Sequence, residues 1–318
     1  MNKKMLAIAL SFMTALPAGQ TYAENTSISA YPAILQIKAN PGADVIAPVS
    51  IRNNGEEEVT LNILIRPFIS SVNHTGSVSF VPTNQIPKAE LEFVNGLRIT
   101  DKDKDIKSIN LYPNESKNLQ IMFTAPEKAT DYYLSLAFIS QSKIEENNSK
   151  ETVTTVNTGV ATNMLISIQD GRQKTSGVIT EFEASKLVVN NSPTMELLVA
   201  NTGNTYASVK GTVSIYNVFG KQIASLPLKE TFVLAKESRN LTTLLPQKAR
   251  NEIVWNEKFL LGAYKAKATV IFDNVHTTRA ETMFFSIPLI ILGVVSISIF
   301  VILGILFRVI NKLNFQKK

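Results

Sequence analysis

Three aspartates alternate at Asp101, Asp103 and Asp105, the spacing with which a calcium-binding loop begins. Such a loop needs glycine at its sixth position for a sharp turn and a bidentate glutamate at its twelfth. Here those positions hold Ile106 and Tyr112. Lys102, Lys104 and Lys107 interleave with the acids, so local charge nearly cancels and the run reads as a solvated loop. The two histidines, His74 and His276, fall on different halves of the chain, and neither is surrounded by the three or four ligands that zinc requires. There is no GxSxG elbow, no HExxH pair and no phosphate-cradling glycine loop. Two carboxylates meeting in space, as glycoside hydrolysis uses, are the catalytic alternative left, a cell-wall hydrolase. The chain is therefore expected not to be an enzyme, with no catalytic, metal or cofactor residue to name.

Binding chemistry has weaker markers. Trp255 in NEIVWNEKF is the single tryptophan, and it reads as a core or edge anchor rather than a contact hot spot. The polar loop Gln141 to Lys150, QSKIEENNSK, is the better contact candidate, because loops at sandwich ends carry recognition. No individual binding residue stands out.

The elements that would position such a surface are strands. Runs such as VIAPVSIRNN, EEVTLNILIRPF, NLQIMFTAP, YYLSLAFIS and AYKAKATVIF are short, apolar or β-branched, and separated by Asn, Gly, Pro and Ser. Many alternate as half-buried strands do, and helical periodicity is almost absent. Three landmarks recur in order. VSIRNNG, ending at Gly55, matches LLVANTG, ending at Gly203; ESKNL at Glu115 matches ESRNL at Glu237; Tyr133 in DYYLSLAF and Tyr264 in GAYKAKAT each open an alternating strand. One fold used twice follows, all-β, with two tandem immunoglobulin-like β-sandwiches at 24–170 and 171–276. The longer spacing from Asn53 to Glu115 places an insertion within Phe80 to Ile109.

The ends imply a location. Lys3 and Lys4, the apolar run Met5 to Leu16 and the small-residue segment ending at Ala23 have the layout of a signal peptide, residues 1–23. Phe284 to Phe307 contains no charge and is long enough to span a bilayer, after a stalk at 277–283. Arg308, Lys312, Lys317 and Lys318 make the tail, 308–318, basic and hence cytoplasmic. A single-pass cell-membrane protein with an extracytoplasmic ectodomain is expected, anchored through a C-terminal transmembrane helix. The formal charge of +6 comes from these two ends, and the rest carries cations and acids in equal number. Nucleic acid is not an expected partner. Cysteine is absent, so the fold relies on its cores rather than on disulfides.

The stretches ANPGADVIAPVSIRNNGEEEVTLNI, Gly76 to Phe80, LYPNESKNLQIMFTAPEKA and VANTGNTYASVKGTVSIYNVFGKQI resemble the WxL-interacting surface proteins of Gram-positive bacteria and their membrane-anchored tandem immunoglobulin-like relatives. That resemblance implies a first domain linked to peptidoglycan and a second to recognition of a surface protein. One departure is the strand Asp131 to Phe138, which lacks the family's glycines. The fold is also similar to that of periplasmic pilus chaperones, which donate a strand edge. The leading expectation is a membrane-anchored binding or scaffold protein that contacts cell-wall polymer or a surface protein. The alternative is an accessory for surface-protein assembly acting through strand-edge pairing.

Overall fold

The computed structural model describes residues 27–144, 154–189, 192–244, 252–257 and 259–315. The signal segment 1–23, residues 145–150 of the contact loop and the last three residues of the tail lie outside them.

The first domain contains β1 (Ile28–Tyr31), β2 (Ile34–Ala39), β3 (Asp44–Asn53), β4 (Val59–Ser70), β5 (Val78–Phe80), α1 (Lys88–Gly96), β6 (Arg98–Asp101), β7 (Lys104–Asp105), β8 (Ser108–Leu111), β9 (Ser116–Thr124), β10 (Asp131–Ile144) and β11 (Thr154–Ile168). One sheet runs β1-β3-β9-β6-β7 and the other β2-β11-β10-β4-β5, with β8 also on β4. The chain crosses between sheets at Pro32, so β1 pairs antiparallel with β3 while β2 pairs parallel with β11.

The second domain repeats this plan with β12 (Gly177–Ala184), β13 (Leu187–Val189), β14 (Thr194–Asn201), β15 (Ala207–Asn217), β16 (Gln222–Pro227), β17 (Thr231–Val233), β18 (Ser238–Asn240), β19 (Ile253–Val254), β20 (Gly262–Phe272) and β21 (His276–Ile287). Its sheets run β12-β14-β18 and β13-β21-β20-β15-β16. Again the first strand divides, β12 pairing antiparallel with β14 and β13 parallel with β21. Each domain has its own core, one built around Ile51, Leu61, Leu119, Leu136 and Ile166, the other around Val199, Val209, Leu241, Val270 and Phe272.

The duplication is visible atom by atom. Asn53 is buried, and its Nδ2 donates to the carbonyls of Glu57 (2.6 Å), Leu111 (3.2 Å) and Tyr112 (3.3 Å) while Oδ1 accepts from Gly55 N (2.9 Å). Asn201 repeats this, donating to the Thr205 (2.8 Å) and Val233 (3.0 Å) carbonyls and accepting from Gly203 N (2.9 Å). The pentapeptides also coincide. Ser116 lies opposite Arg52 and Ser238 opposite Ala200, one residue before each asparagine. Leu119 and Leu241 both point inward, at 0% and 1% exposure. Each pentapeptide follows a residue at positive φ, Asn114 (61°) and Lys236 (64°), so the turn is one turn used twice.

The tyrosine landmark shifts by one residue. Leu61 on β4 is opposite Ser140, and its counterpart Val209 on β15 is opposite Phe272. Counting back along each strand, Tyr132 rather than Tyr133 is the equivalent of Tyr264. Both are buried in their own cores, while Tyr133 points to the other face, as a one-residue step in a strand demands.

The insertion within Phe80 to Ile109 holds the helix that the strand-like pattern did not foretell. α1 carries one buried side chain, Phe93, whose ring meets Phe123 edge-on at 5.3 Å and Tyr132 at 4.2 Å. The aspartate run forms the β6–β7 hairpin, whose tip residues Lys102 and Asp103 both take positive φ, as a tight hairpin turn requires. Asp105 pairs with Arg98 at 2.9 Å.

Two expectations at the C-terminal end are corrected. Residues 277–283 are no stalk: they continue β21, and Phe284 to Ile287 end that strand instead of opening a span. The cause is an aromatic cluster. Phe284 stacks on Tyr264 at 5.4 Å, and Trp255 meets both rings edge-on, at 5.6 Å and 6.3 Å. This also places Trp255 as a core anchor, 7% exposed. Beyond Pro288 runs α2 (Leu289–Phe315). Among the described residues, no helix is long and apolar enough to cross a membrane, and the single-pass cell-membrane localisation expected from the sequence is overturned on that finding.

The buried asparagines set a test. Alanine at Asn53 or Asn201 leaves the Leu111 or Val233 carbonyl without its donor and should cost about 2–3 kcal/mol in urea unfolding of the full chain. Aspartate should cost more than alanine at either position, because a carboxylate would then face those carbonyl oxygens. Equal stability of wild type and either alanine variant would refute the structural role of the amide.

Candidate strand-edge site at the domain junction

The candidate site grows from a mismatch in strand length. β2 accompanies β11 only over Asn163–Ile168. Above Asn163, residues Thr154–Thr162 of β11 pair with β10 on one side and, among the described residues, with nothing on the other. β4 in turn leaves β10 at Ser140, so the β10–β11 hairpin projects beyond the sheet as a two-stranded arm. The N–H of Asn163 points outward, donating to Ala33 O at 3.0 Å. Backbone direction alternates along a strand, so Ala161, Gly159, Asn157 and Thr155 present their N–H and C=O groups along the same open side. Gly159 is required there for close pairing: a Cβ would lie 2.6 Å from the Phe138 carbonyl oxygen.

Other edges in the molecule are blunted. β5 and β7 have three and two residues. β16 ends at Pro227, and β12 carries Glu181, Glu183 and a register break between Ile179 and Glu181. Short length, charge, proline and bulges are the usual protections against strand addition. The stretch TTVNTGVAT, Thr154 to Thr162, has no charge and no proline.

The open edge ends at the junction between the domains. Beside Ile34 and Asn163 lies a recess with apolar walls from Phe68, Val78 and Leu165 of the first domain and Phe232 and Leu234 of the second, lined also by Glu237 and Arg239. Phe68, Leu165 and Tyr206 form a small buried core of their own here. Tyr133, the residue displaced from the first core, belongs to it, 6.2 Å from Phe68.

Polar contacts fix the junction. Asp131 accepts from Tyr206 N (2.8 Å), Thr205 Oγ1 (3.2 Å) and the Tyr133 hydroxyl (2.9 Å), and that hydroxyl accepts from Ala235 N (3.1 Å). Burial, with the Asp131 charge beside it, raises the Tyr133 hydroxyl far above its ordinary pKa, so it stays a donor. Tyr206 is raised for the same reasons. On the other flank the β4–β5 turn docks against β18. His74, at φ 55°, accepts from Asn240 N through its carbonyl (2.8 Å), and its Nδ1 lies 3.2 Å from Ser238 O. His74 thus has a structural place between domains. His276 lies apart from it on β21, 6.3 Å from the Phe272 ring.

Sequence reasoning singled out the loop Gln141 to Lys150, and its first residues, Gln141–Ile144, form the end of the projecting arm. It did not single out Thr154–Thr162, whose one visible signal was an uncharged strand longer than its partners. Among the described residues, no three of His, Cys, Asp or Glu form a metal-binding group.

No family model matches the chain, and no curated protein matches it. Solved structures similar to it include the class 5 fimbriae chaperone CfaA, at 15% identity over 82% of this chain and 100% of that one, with a TM-score of 0.35. The Pseudomonas aeruginosa CupB2 chaperone is 11% identical over 80% and 100%, with a TM-score of 0.37. The Salmonella enterica SafA pilin in complex with the SafB chaperone gives 12% over 81% and 97%, at 0.34. At these values the likeness carries no argument about the site.

The junction makes its own prediction. Asp131→Ala strips three donors of their acceptor, one of them the backbone N–H of Tyr206, and should lower stability by about 2 kcal/mol. Differential scanning calorimetry of the full chain should then resolve two transitions, as each core melts separately. An unchanged single transition would show that the apolar contacts alone couple the domains.

Proposed function

We propose that this chain is a binding protein that assists surface-protein assembly by accepting an extended segment of its partner as an added strand along Thr154–Thr162 of β11. One observation carries the reading: a nine-residue strand edge, uncharged and unpaired among the described residues, in a molecule whose other edges are shortened, charged, bulged or closed by proline. Long unprotected edges invite pairing with other chains, and proteins that do not use them remove them. An incoming strand would continue the line of β2, exchange backbone hydrogen bonds with Gly159 and Ala161, and end at Ile34, where the junction recess begins. Backbone pairing supplies affinity without demanding a particular sequence, and the recess supplies selection for an apolar side chain. The reading rests on the edge and not on the fimbrial chaperones named above.

The wall-polymer reading implied by the resemblance to WxL-interacting proteins makes a different demand, a polar surface that does not depend on backbone pairing. The two separate experimentally. Full-length protein incubated with short peptides of alternating apolar and polar residues should bind a subset of them. Bound peptide should slow amide hydrogen exchange at Gly159 and Ala161. Ala161→Pro removes one outward N–H while leaving the bonds to β10, and should weaken binding about tenfold, near 1.4 kcal/mol. Retention on purified wall polymer that Ala161→Pro leaves intact, with no peptide protecting those amides, would replace this reading with the scaffold one.

A further inference from the structure

A second, more polar recess adjoins the first, and Arg239 lines both. The walls of this second recess are Thr75 from the β4–β5 turn of the first domain and Lys229, Thr231, Arg239, Asn240 and Thr242 from the second. It holds two cations, three hydroxyls and no carboxylate, in about 430 Å³ including its open mouth. Arg239 is partly buried against the first domain. A Cβ on Gly76 would lie 2.2 Å from its guanidinium carbon, and Gly76 itself sits at φ +83°, so glycine is the residue that lets the guanidinium approach. Arg239 donates from Nη1 to the Phe232 carbonyl at 2.9 Å. Among the described residues neither Arg239 nor Lys229 has an ion pair. The neighbouring acid, Glu230, is taken by Ser208, whose hydroxyl donates to it at 2.5 Å.

A guanidinium withdrawn from water without a counter-charge is costly, and burial here lowers its pKa for that reason. The cost is relieved when an anion enters. A planar fork of N–H donors matches two oxygens of a phosphate, an ammonium supplies a second charge, and the Thr231 and Thr242 hydroxyls donate to the remaining oxygens, that of Thr75 being engaged with Asn73 Oδ1 at 2.8 Å. We propose that this recess is an oxyanion site for a phosphate group, held by Arg239 and Lys229 and closed by Thr75 from the other domain. Because its walls come from both domains, an occupant favours the joined arrangement and stabilises it by mass action. Arg239 also lines the recess at the end of the β11 edge, but Lys229, Thr231 and Thr242 belong to this recess and not to that one, and the phosphate needs no added strand.

The test is isothermal titration of the full-length protein with inorganic phosphate, glycerol 3-phosphate and acetate at matched ionic strength. Saturable binding of inorganic phosphate or of the ester is expected, with acetate weaker, since a planar carboxylate has only two oxygens and leaves none for the hydroxyls once the guanidinium is paired. Tighter binding of the ester would assign the site to a phosphate carried on a larger molecule. Tighter inorganic phosphate would assign it to the free ion. Lys229→Met, a change at an exposed lysine that leaves the junction intact, should weaken phosphate about tenfold. Arg239→Met should abolish binding. Wild-type affinity in Lys229→Met, acetate binding as tightly as phosphate, or no saturable heat with any of the three would overturn the proposal. Ala161→Pro should leave phosphate binding unchanged, so failure at the strand edge and failure here are read independently.

Discussion

Two buried amides hold this architecture. Asn53 and Asn201 each sit where a strand of one sheet turns toward the other, and each satisfies backbone groups from two chain segments at once. A sandwich has few covalent connections near such a corner, and this one has no disulfide. The amide does the work of a staple. Its Nδ2 reaches both the local turn, at the Glu57 or Thr205 carbonyl, and the strand that arrives from far along the chain, at Leu111 or Val233, while its acceptor holds the turn at Gly55 or Gly203. Neither a carboxylate nor a hydroxyl has this combination of donors and acceptor. That is why the same residue stands at both corners while surrounding positions differ freely.

With the corners fixed, the differences between domains become differences in how edges are closed. In the first domain β9 is covered by β6, part of the insertion that also brings α1. The second domain has no such insertion, and β18, the equivalent of β9, has three residues. Its outer side is met by the β4–β5 turn of the first domain, through His74. One domain thus completes the other's sheet. The junction core of Phe68, Leu165 and Tyr206 follows from that docking, and Tyr133 serves the junction because it alternates with Tyr132, which serves the first core.

Much of this was legible in the chain. The paired Asn-Gly turns, the pentapeptides and the place of the insertion needed only spacing. α1 was not legible, because a nine-residue helix with one buried side chain leaves almost no periodic signal. The tyrosine equivalence was read one residue out, since DYYLSLAF offers two adjacent tyrosines and only cross-strand register distinguishes them. The C-terminal end misled for a related reason. Phe284 and Phe285 continue into an apolar run in sequence, yet they belong to a strand whose alternation buries the first and exposes the second. The open edge was the least legible feature, because an unpaired strand and a paired one have the same side-chain pattern.

The same plan explains why one edge stayed open. In both domains the first strand divides between sheets, leaving the upper part of the last strand without a neighbour. In the second domain the eight-residue β12 runs beside β21, and β21 carries Arg279 and Glu281 there, the latter bridged to Lys265 and Lys267 at 3.3 Å and 2.7 Å. In the first domain β1 has four residues, and the β10–β11 arm outruns it with no charge on β11 from Thr154 to Thr162. A charged residue on β11 would have protected that edge, as Arg279 and Glu281 do on β21. The duplicated domain shows that the fold tolerates such charges, so the uncharged edge of β11 is not imposed by the architecture. Among the described residues both last strands have an open stretch, and the one on β11 differs in lacking charge and in ending at the junction recess.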